Sequence, residues 1–345
     1  MANPADEWSS ADLKALVAGG LINEDVMSKI WDISRIPLPF LDLIGRDTHD
    51  NAFTEWTIDA LGTPDVTNAV VDGADALTAD AAGGSRVGNH GQISVKGVSV
   101  TQRAQHSRVI GRANELSYQV MMRQQELLRD IEAICLTNQA SIADSGSATA
   151  GKSGGFPAWL TTNTSFGSSG SDGGFNTSTK VVDAPGAGTG RAFSETILKA
   201  SVLSAFVANG NITHIMSVPN LISRLNKFLL SSSANVATPT ANVTGTSAVQ
   251  QVAQGAVNVF ATDFNTVLII VPNRLQALVV ALTDVLYIDP TKVALSFMEN
   301  INVKPIAKSG LADKRQMSAD WTLKVYNEAA HAVDRDILPS STVVA

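Results

Sequence analysis

Cysteine is nearly absent: Cys135 is the single one in 345 residues. That excludes a disulfide within the chain and any cysteine-built metal site, and leaves a buried, inert thiol as the reading of Cys135. Aromatic residues make up only 6% and charged residues 17%, with a net charge of −7 and no run of Lys or Arg. Such a chain is poorly suited to gripping phosphate backbones, because that binding is dominated by positive charge. Nothing approaches the roughly 20 consecutive apolar residues of a membrane span, and Leu275–Leu282, the nearest, is too short. No signal peptide opens the chain: Met1–Ser10 is polar and acidic, and the apolar run Ala15–Ile22 is broken by Gly19 and Gly20. The expectation is a soluble protein, intracellular when made. The histidines (His49, His90, His106, His214, His331) are scattered, with no pair at i, i+4, so the sequence offers no zinc-protease helix.

What is present is organised around one stretch. Arg112 to Ser145 contains no Gly or Pro and is bracketed by Gly111 and Gly146. Ala113, Leu116, Val120, Leu127, Ile131, Ile134 and Leu136 recur at helical spacing, which predicts an amphipathic helix of roughly 40–50 Å at 1.5 Å per residue. Glu115, Arg123, Glu126, Arg129 and Glu132 fall on the expected solvent face, with pairs three residues apart. We read this helix as a spine on which sheets and loops hang.

Before it, short helices are expected at Ala11–Val17 and Asn23–Trp31, and Pro37 and Pro39 predict an extended segment. Ala52–Asp59 alternates as a strand, mirrored by Gln92–Thr101, where Gly97 shifts the phase as at a bulge. Gly62–Gly91 is small and polar and reads as the end of a long two-stranded excursion that needs a neighbour to lie on. Gly146–Gly155 and Thr161–Gly190 are dense in Gly, Ser, Thr and Asn and read as surface loops or a linker. Order returns with a helix capped by Ser194 and striped by Leu198, Val202 and Phe206, ended by Asn209-Gly210. A strand at Ile212–Val218 and a helix from Pro219 facing in with Leu221, Leu225, Phe228 and Leu229 come next, then a polar stretch at Ser231–Ser247. Strands follow at Val257–Ala261, Val267–Val271, Val285–Ile288 and Val293–Phe297. At the end, Trp321, Leu323 and Val325 alternate with Thr322, Lys324 and Tyr326, and Glu328–Val333 continues the pattern less cleanly. This closing strand is expected to lie beside the spine helix.

Two enzyme motifs fall in one glycine-rich tract. Gly146 to Ser153 matches the phosphate loop GxxxxGK[ST], and Gly151 to Gly155 matches GxSxG. Both chemistries require a strand leading in and a helix leading out, whereas here a helix leads in and Gly154-Gly155-Phe156-Pro157 follows. Lys304, Lys308, Lys314 and Arg315 form a loose basic cluster, read as a solvated face or a contact for an acidic partner. Arg103, Arg108 and Arg112 gather where the hairpin meets the spine; with Trp56 they are the candidate contacts between subunits.

The residues Gly88–Val95 running into Val100–Arg103, then Gly111-Arg112, Glu115–Gln119, Arg129–Glu132, Thr137–Ala140 and the tail Trp321–His331 carry a resemblance. From about residue 50 onward the chain resembles the major capsid (major head) proteins of tailed bacteriophages, the Hong Kong 97-like fold. The resemblance implies a mixed α+β fold with an N-terminal arm (1–50), an extended two-stranded loop (51–106) and a peripheral domain with the spine helix (107–160). A Gly/Ser-rich insertion (161–192), an axial domain (193–300) and the return strands of the peripheral domain (301–345) complete it. It further implies a structural protein rather than an enzyme, with no catalytic, cofactor or metal residues. Copies would self-assemble as pentamers and hexamers into an icosahedral head enclosing double-stranded DNA without sequence-specific binding. Expected partners besides itself are a separate scaffolding protein, a portal at one vertex and a decoration protein, with no membrane. The expected location is the virion capsid, assembled in the host bacterial cytoplasm. The rival readings are an encapsulin-like compartment enclosing enzyme cargo, a flagellin-like filament, and a P-loop nucleotide-binding enzyme using Lys152.

Overall fold

The computed structural model describes residues 37–338 apart from 63, 74–82, 108–113, 224, 226–258, 263, 265–266, 275–282 and 309. The expected helices at 11–17 and 23–31, the polar stretch 231–247, and Phe228 and Leu229 lie outside the described residues.

Two sheets organise the chain. The first has the order β1 (Gly45–Thr48), β12 (Val293–Pro305), β13 (Ala312–Val325), β4 (Gln92–Thr101). The second has the order β5 (Thr164–Ser165), β14 (Ala332–Ile337), β11 (Thr283–Ile288), β8 (His214–Ser217), β10 (Val267–Pro272), β9 (Val259–Ala261). Two hairpins, β2 (Phe53–Ile58) with β3 (Ser85–His90) and β6 (Gly174–Asn176) with β7 (Val181–Asp183), stand outside them. The helices are α1 (Pro39–Leu43), α2 (Gln102–His106), α3 (Glu115–Cys135), α4 (Phe156–Trp159) and α5 (Glu195–Val207). A further helical turn starts at Pro219 and buries Leu221 and Leu225.

Alternation in the second sheet builds two cores. Met216, Leu286, Ile288 and Val333 point to one side, where they join Leu127, Ile131 and Cys135 of α3, Val98 and Val100 of β4, and Trp321 and Leu323 of β13. Ile215, Tyr287, Ala332 and Ile337 point to the other, under Leu198, Val202 and Ala205 of α5. The closing strand lies on the spine helix as expected, with Trp321, Leu323 and Val325 all fully buried.

The spine begins where Asn114 accepts a hydrogen bond from the Ser117 amide at 2.9 Å, with Glu115 in the first turn. It ends at Cys135, ten residues before the predicted Ser145, and so spans about 31 Å. Tertiary pairing takes the missing turns. The Gln139 carbonyl accepts from the Gly155 amide, Ser141 pairs with Val182, and Ile142 pairs with Lys152. Glu132, expected on the solvent face, is fully buried.

Several other expectations are corrected. Pro37 and Pro39 do not hold the chain extended: Pro39 opens α1, where its missing N–H costs nothing and its φ suits a helix. The strand at 53–58 pairs with 85–90, not with 92–101, which pairs instead with β13. Ser85–His90 hides its strand character because Gly88 must sit against Phe53, where a Cβ would lie 2.6 Å from the ring. No bulge forms at Gly97, since the register runs unbroken from Gln92↔Trp321 to Thr101↔Ala312. Ile93 and Val95 simply face outward, while Val98 and Val100 face the core.

Within the glycine-rich tract 146–150 is exposed, as a surface loop should be, but Ser153, Gly154 and Gly155 are buried together with Phe156–Leu160. A Cβ on Gly155 would stand 1.9 Å from the Thr137 carbonyl oxygen, so glycine serves close backbone approach here. In α5 the inward positions are Leu198, Val202 and Ala205; Phe206 turns toward solvent and stacks on Phe264 at 5.5 Å. Glu328–Val333 does not prolong β13. A 3-10 turn at Glu328–Ala330, capped by Asn327, sends the chain into β14 of the other sheet.

Candidate assembly surfaces

The hairpin β2–β3 leaves the body from a rigid base. Asn89, fully buried, donates to the Leu323 carbonyl at 2.8 Å and accepts from the Gly154 amide at 2.9 Å. Trp56 lies half-buried, 5.4 Å from the Trp159 ring and 6.4 Å from Tyr326, packed against its own chain's core. Beyond the strands, Leu61 and Val66 are 100% and 96% exposed, and Val70 and Val71 are also in water. Asp59, Asp65 and Asp72 share that stretch with no Lys or Arg between them. Large aliphatics crowded on a projecting loop mark a surface that expects a cover, since each gains about 1.5–3 kcal/mol when buried.

A second projection is the turn joining β12 to β13. Val303, Ile306 and Leu311 are exposed there beside Lys304, Lys308, Lys314 and Arg315. Lys304 pairs with Glu299 at 2.6 Å and Lys308 with Asp313 at 2.5 Å, ion pairs worth little at such exposure. Of the three arginines singled out in the sequence, Arg103 is exposed on α2, while Arg108 and Arg112 lie outside the described residues.

The glycine-rich tract has a geometry at odds with a phosphate site. The amides such a cradle needs are taken: Lys152 donates to the Ile142 carbonyl, Ser153 to Gln92 Oε1 at 3.1 Å, and Gly154 to Asn89 Oδ1. Ser153 Oγ accepts from the Leu323 amide at 3.1 Å, which makes it a structural tie. The helix that follows, α4, is four residues long with Pro157 inside it. Among the described residues no three His, Cys, Asp or Glu side chains are placed to share an ion, and no helix is long and apolar enough to cross a membrane. His331 is fully buried with Nδ1 accepting from the Asp289 amide, and burial lowers its pKa to about 4.

The sequence reasoning missed the buried polar ties. Glu132 on α3 accepts from Asn273 Nδ2 at 2.8 Å and from the Phe40 and Leu41 amides at 3.5 Å, and burial raises it to about 7. Asp334 accepts from Ser201 at 2.6 Å and Tyr287 at 2.7 Å. Asp336 accepts from the Gly167 and Gly188 amides, stitching the glycine-rich insertion to β14. A signal for Glu132 was present: it lies three residues before Cys135 and four after Leu128, so it has apolar neighbours along the helix face.

The family model of the SU10 major capsid protein matches residues 10–337. The major capsid protein of Escherichia phage Phieco32 is 33% identical over 102 residues, which are 30% of this chain and 29% of that one. Among solved structures, the SrpI encapsulin of Synechococcus elongatus PCC 7942 aligns with a TM-score of 0.55 at 11% identity, covering 94% of this chain and 96% of that one. The capsid of the native GTA particle aligns at 0.56 and 11% identity, covering 93% and 97%. At that identity the alignments speak for the fold, which is Hong Kong 97-like. The match across nearly the whole chain settles its membership: this chain belongs to the SU10 major capsid protein family.

Proposed function

We propose that copies of this chain join as pentamers and hexamers into a closed shell through their projecting surfaces. The observation that carries this is the hairpin loop, whose Leu61, Val66, Val70 and Val71 stand in water although the body has two well-filled cores. Arg103, exposed on α2 between β4 and the spine helix, supplies a cation for carboxylates of the arm or a neighbouring subunit. Many modest contacts repeated around closed symmetry give a stable particle from weakly held pairs. The enclosed polymer is double-stranded DNA. A wall of net charge −7 per subunit repels it and lets it slide. Assembly proceeds in the host cytoplasm with a separate scaffolding protein and a portal at one vertex, and a decoration protein is a further partner.

Negative-stain microscopy of the expressed protein, with and without a co-expressed scaffold, tests this reading: closed particles are expected, and only monomers or fibres under both conditions would overturn it. The encapsulin likeness supports a second reading, a compartment for protein cargo. Particles holding protein cargo and no nuclease-protected DNA would favour it.

A further inference from the structure

Through hydrogen bonds of one side chain, Glu132 ties the spine helix both to α1 and to the residue that follows β10 of the second sheet. Its carboxylate is fully buried, as is Asn273, which follows β10 and donates to it at 2.8 Å. Its other donors are the Phe40 and Leu41 amides in the first turn of α1, each at 3.5 Å, the long limit of a hydrogen bond. The groups around it do not neutralise it. Asp42 on α1 adds like charge, and Cys135, one turn along α3, is a buried thiol. The Arg46 guanidinium is turned to the Leu41 carbonyl at 3.2 Å, and Arg274, next to Asn273, is exposed. Among the described residues no cation sits on this carboxylate, and one held by one short and two long neutral bonds is poorly compensated once ionised.

We infer that Glu132 is a proton-controlled latch on segment 37–44: protonated, it keeps α1 seated on the spine helix, and ionised, it favours lifting of that segment so that the carboxylate meets water. The direction follows from the surroundings. Burial raises Glu132 to about 7, whereas a lifted segment returns it toward its ordinary 4.5. Opening therefore releases a proton, and rising pH drives it. Lifting exposes Phe40, Leu41 and Ile44, all buried in the seated state. No chemistry is involved beyond the proton passing to solvent.

The test is hydrogen exchange of the peptide covering 37–44 in the full chain, as free subunit and in particles, at pH 5.5, 7 and 8. Wild type is compared with Glu132→Gln at each pH, so that the intrinsic pH dependence of exchange cancels. The expected ratio of wild-type to variant opening rises by on the order of tenfold or more from pH 5.5 to 8. A ratio that stays flat overturns the inference. Should the variant not fold, wild-type exchange of 37–44 divided by that of the buried strand 321–325, each corrected for intrinsic rate, must show the same rise. A flat quotient likewise overturns it.

Discussion

At the scale of single residues, buried polar groups tie the segments together. Asn89 satisfies one amide and one carbonyl from two distant segments, and its removal leaves both unpaired in the interior. Asn89→Ala is expected to cost about 2–4 kcal/mol, read as a lower urea midpoint. Asp334 gives a pH signature. Burial raises it from 3.8 to about 7, so the fold keeps a proton that the unfolded chain sheds above about 4. Its contribution is complete below about 4 and is lost as pH climbs through about 7. Asp284, raised to about 6 by burial, acts in the same sense. His331 opposes them: lowered from 6.5 to about 4, it makes stability fall as pH drops between those values. The urea midpoint of the free subunit is therefore expected to rise between pH 8 and pH 6.5, and Asp334→Asn is expected to shrink that rise. An unchanged rise in the variant would show that Asp334 does not titrate there. Little of this was legible in the sequence. A lone Asp or Asn carries no sign of burial, and for Glu132 the only hint was its apolar neighbours Leu128 and Cys135 at helical spacing.

At the scale of elements, periodicity located most strands and helices but not their partners or ends. The strand at 267–272 and the capped helix from Ser194 lie where their patterns place them, because local propensity and burial agree. The spine stops short of the expected end because Gln139, Ser141 and Ile142 pair with backbone of Gly155, Val182 and Lys152, which no periodicity reports. Glycine misled most. At Gly155 a methyl group would collide with a carbonyl oxygen at 1.9 Å, and at Gly97 it would meet nothing within 4 Å. Gly155→Ala is expected to lose about 3 kcal/mol or more, or to abolish soluble expression. Gly97→Ala, in an extended strand, is expected to be neutral or to stabilise by up to about 1 kcal/mol. Equal effects from the two would refute the close-approach reading.

For the whole molecule, the hairpin loop separates folding from association. Leu61 and Val66 have almost no contact with their own chain. Leu61→Ser with Val66→Ser is thus expected to leave the melting temperature within about 2 °C while sharply lowering the yield of closed particles seen by microscopy. A large drop in melting temperature would place these side chains inside the subunit's own stability. The order of elements from residue 50 onward announced the family, whereas the seating of residues 37–50 in the subunit's own core did not appear in any pattern. Phe40 and Leu41 are too few to form a stripe, and their cover comes from residues nearly a hundred positions away.

The pairing of β4 with β13 also reaches back to the ribosome. Thr101 must wait for Ala312 before its strand is complete. At about 5–20 residues per second the intervening chain takes on the order of 10–40 s to emerge. Throughout that interval a ten-residue strand has an open edge on each side, long enough for two nascent chains on one message to find each other. Host chaperones, or slow growth at low temperature, are expected to decide how much of this protein is recovered in soluble form.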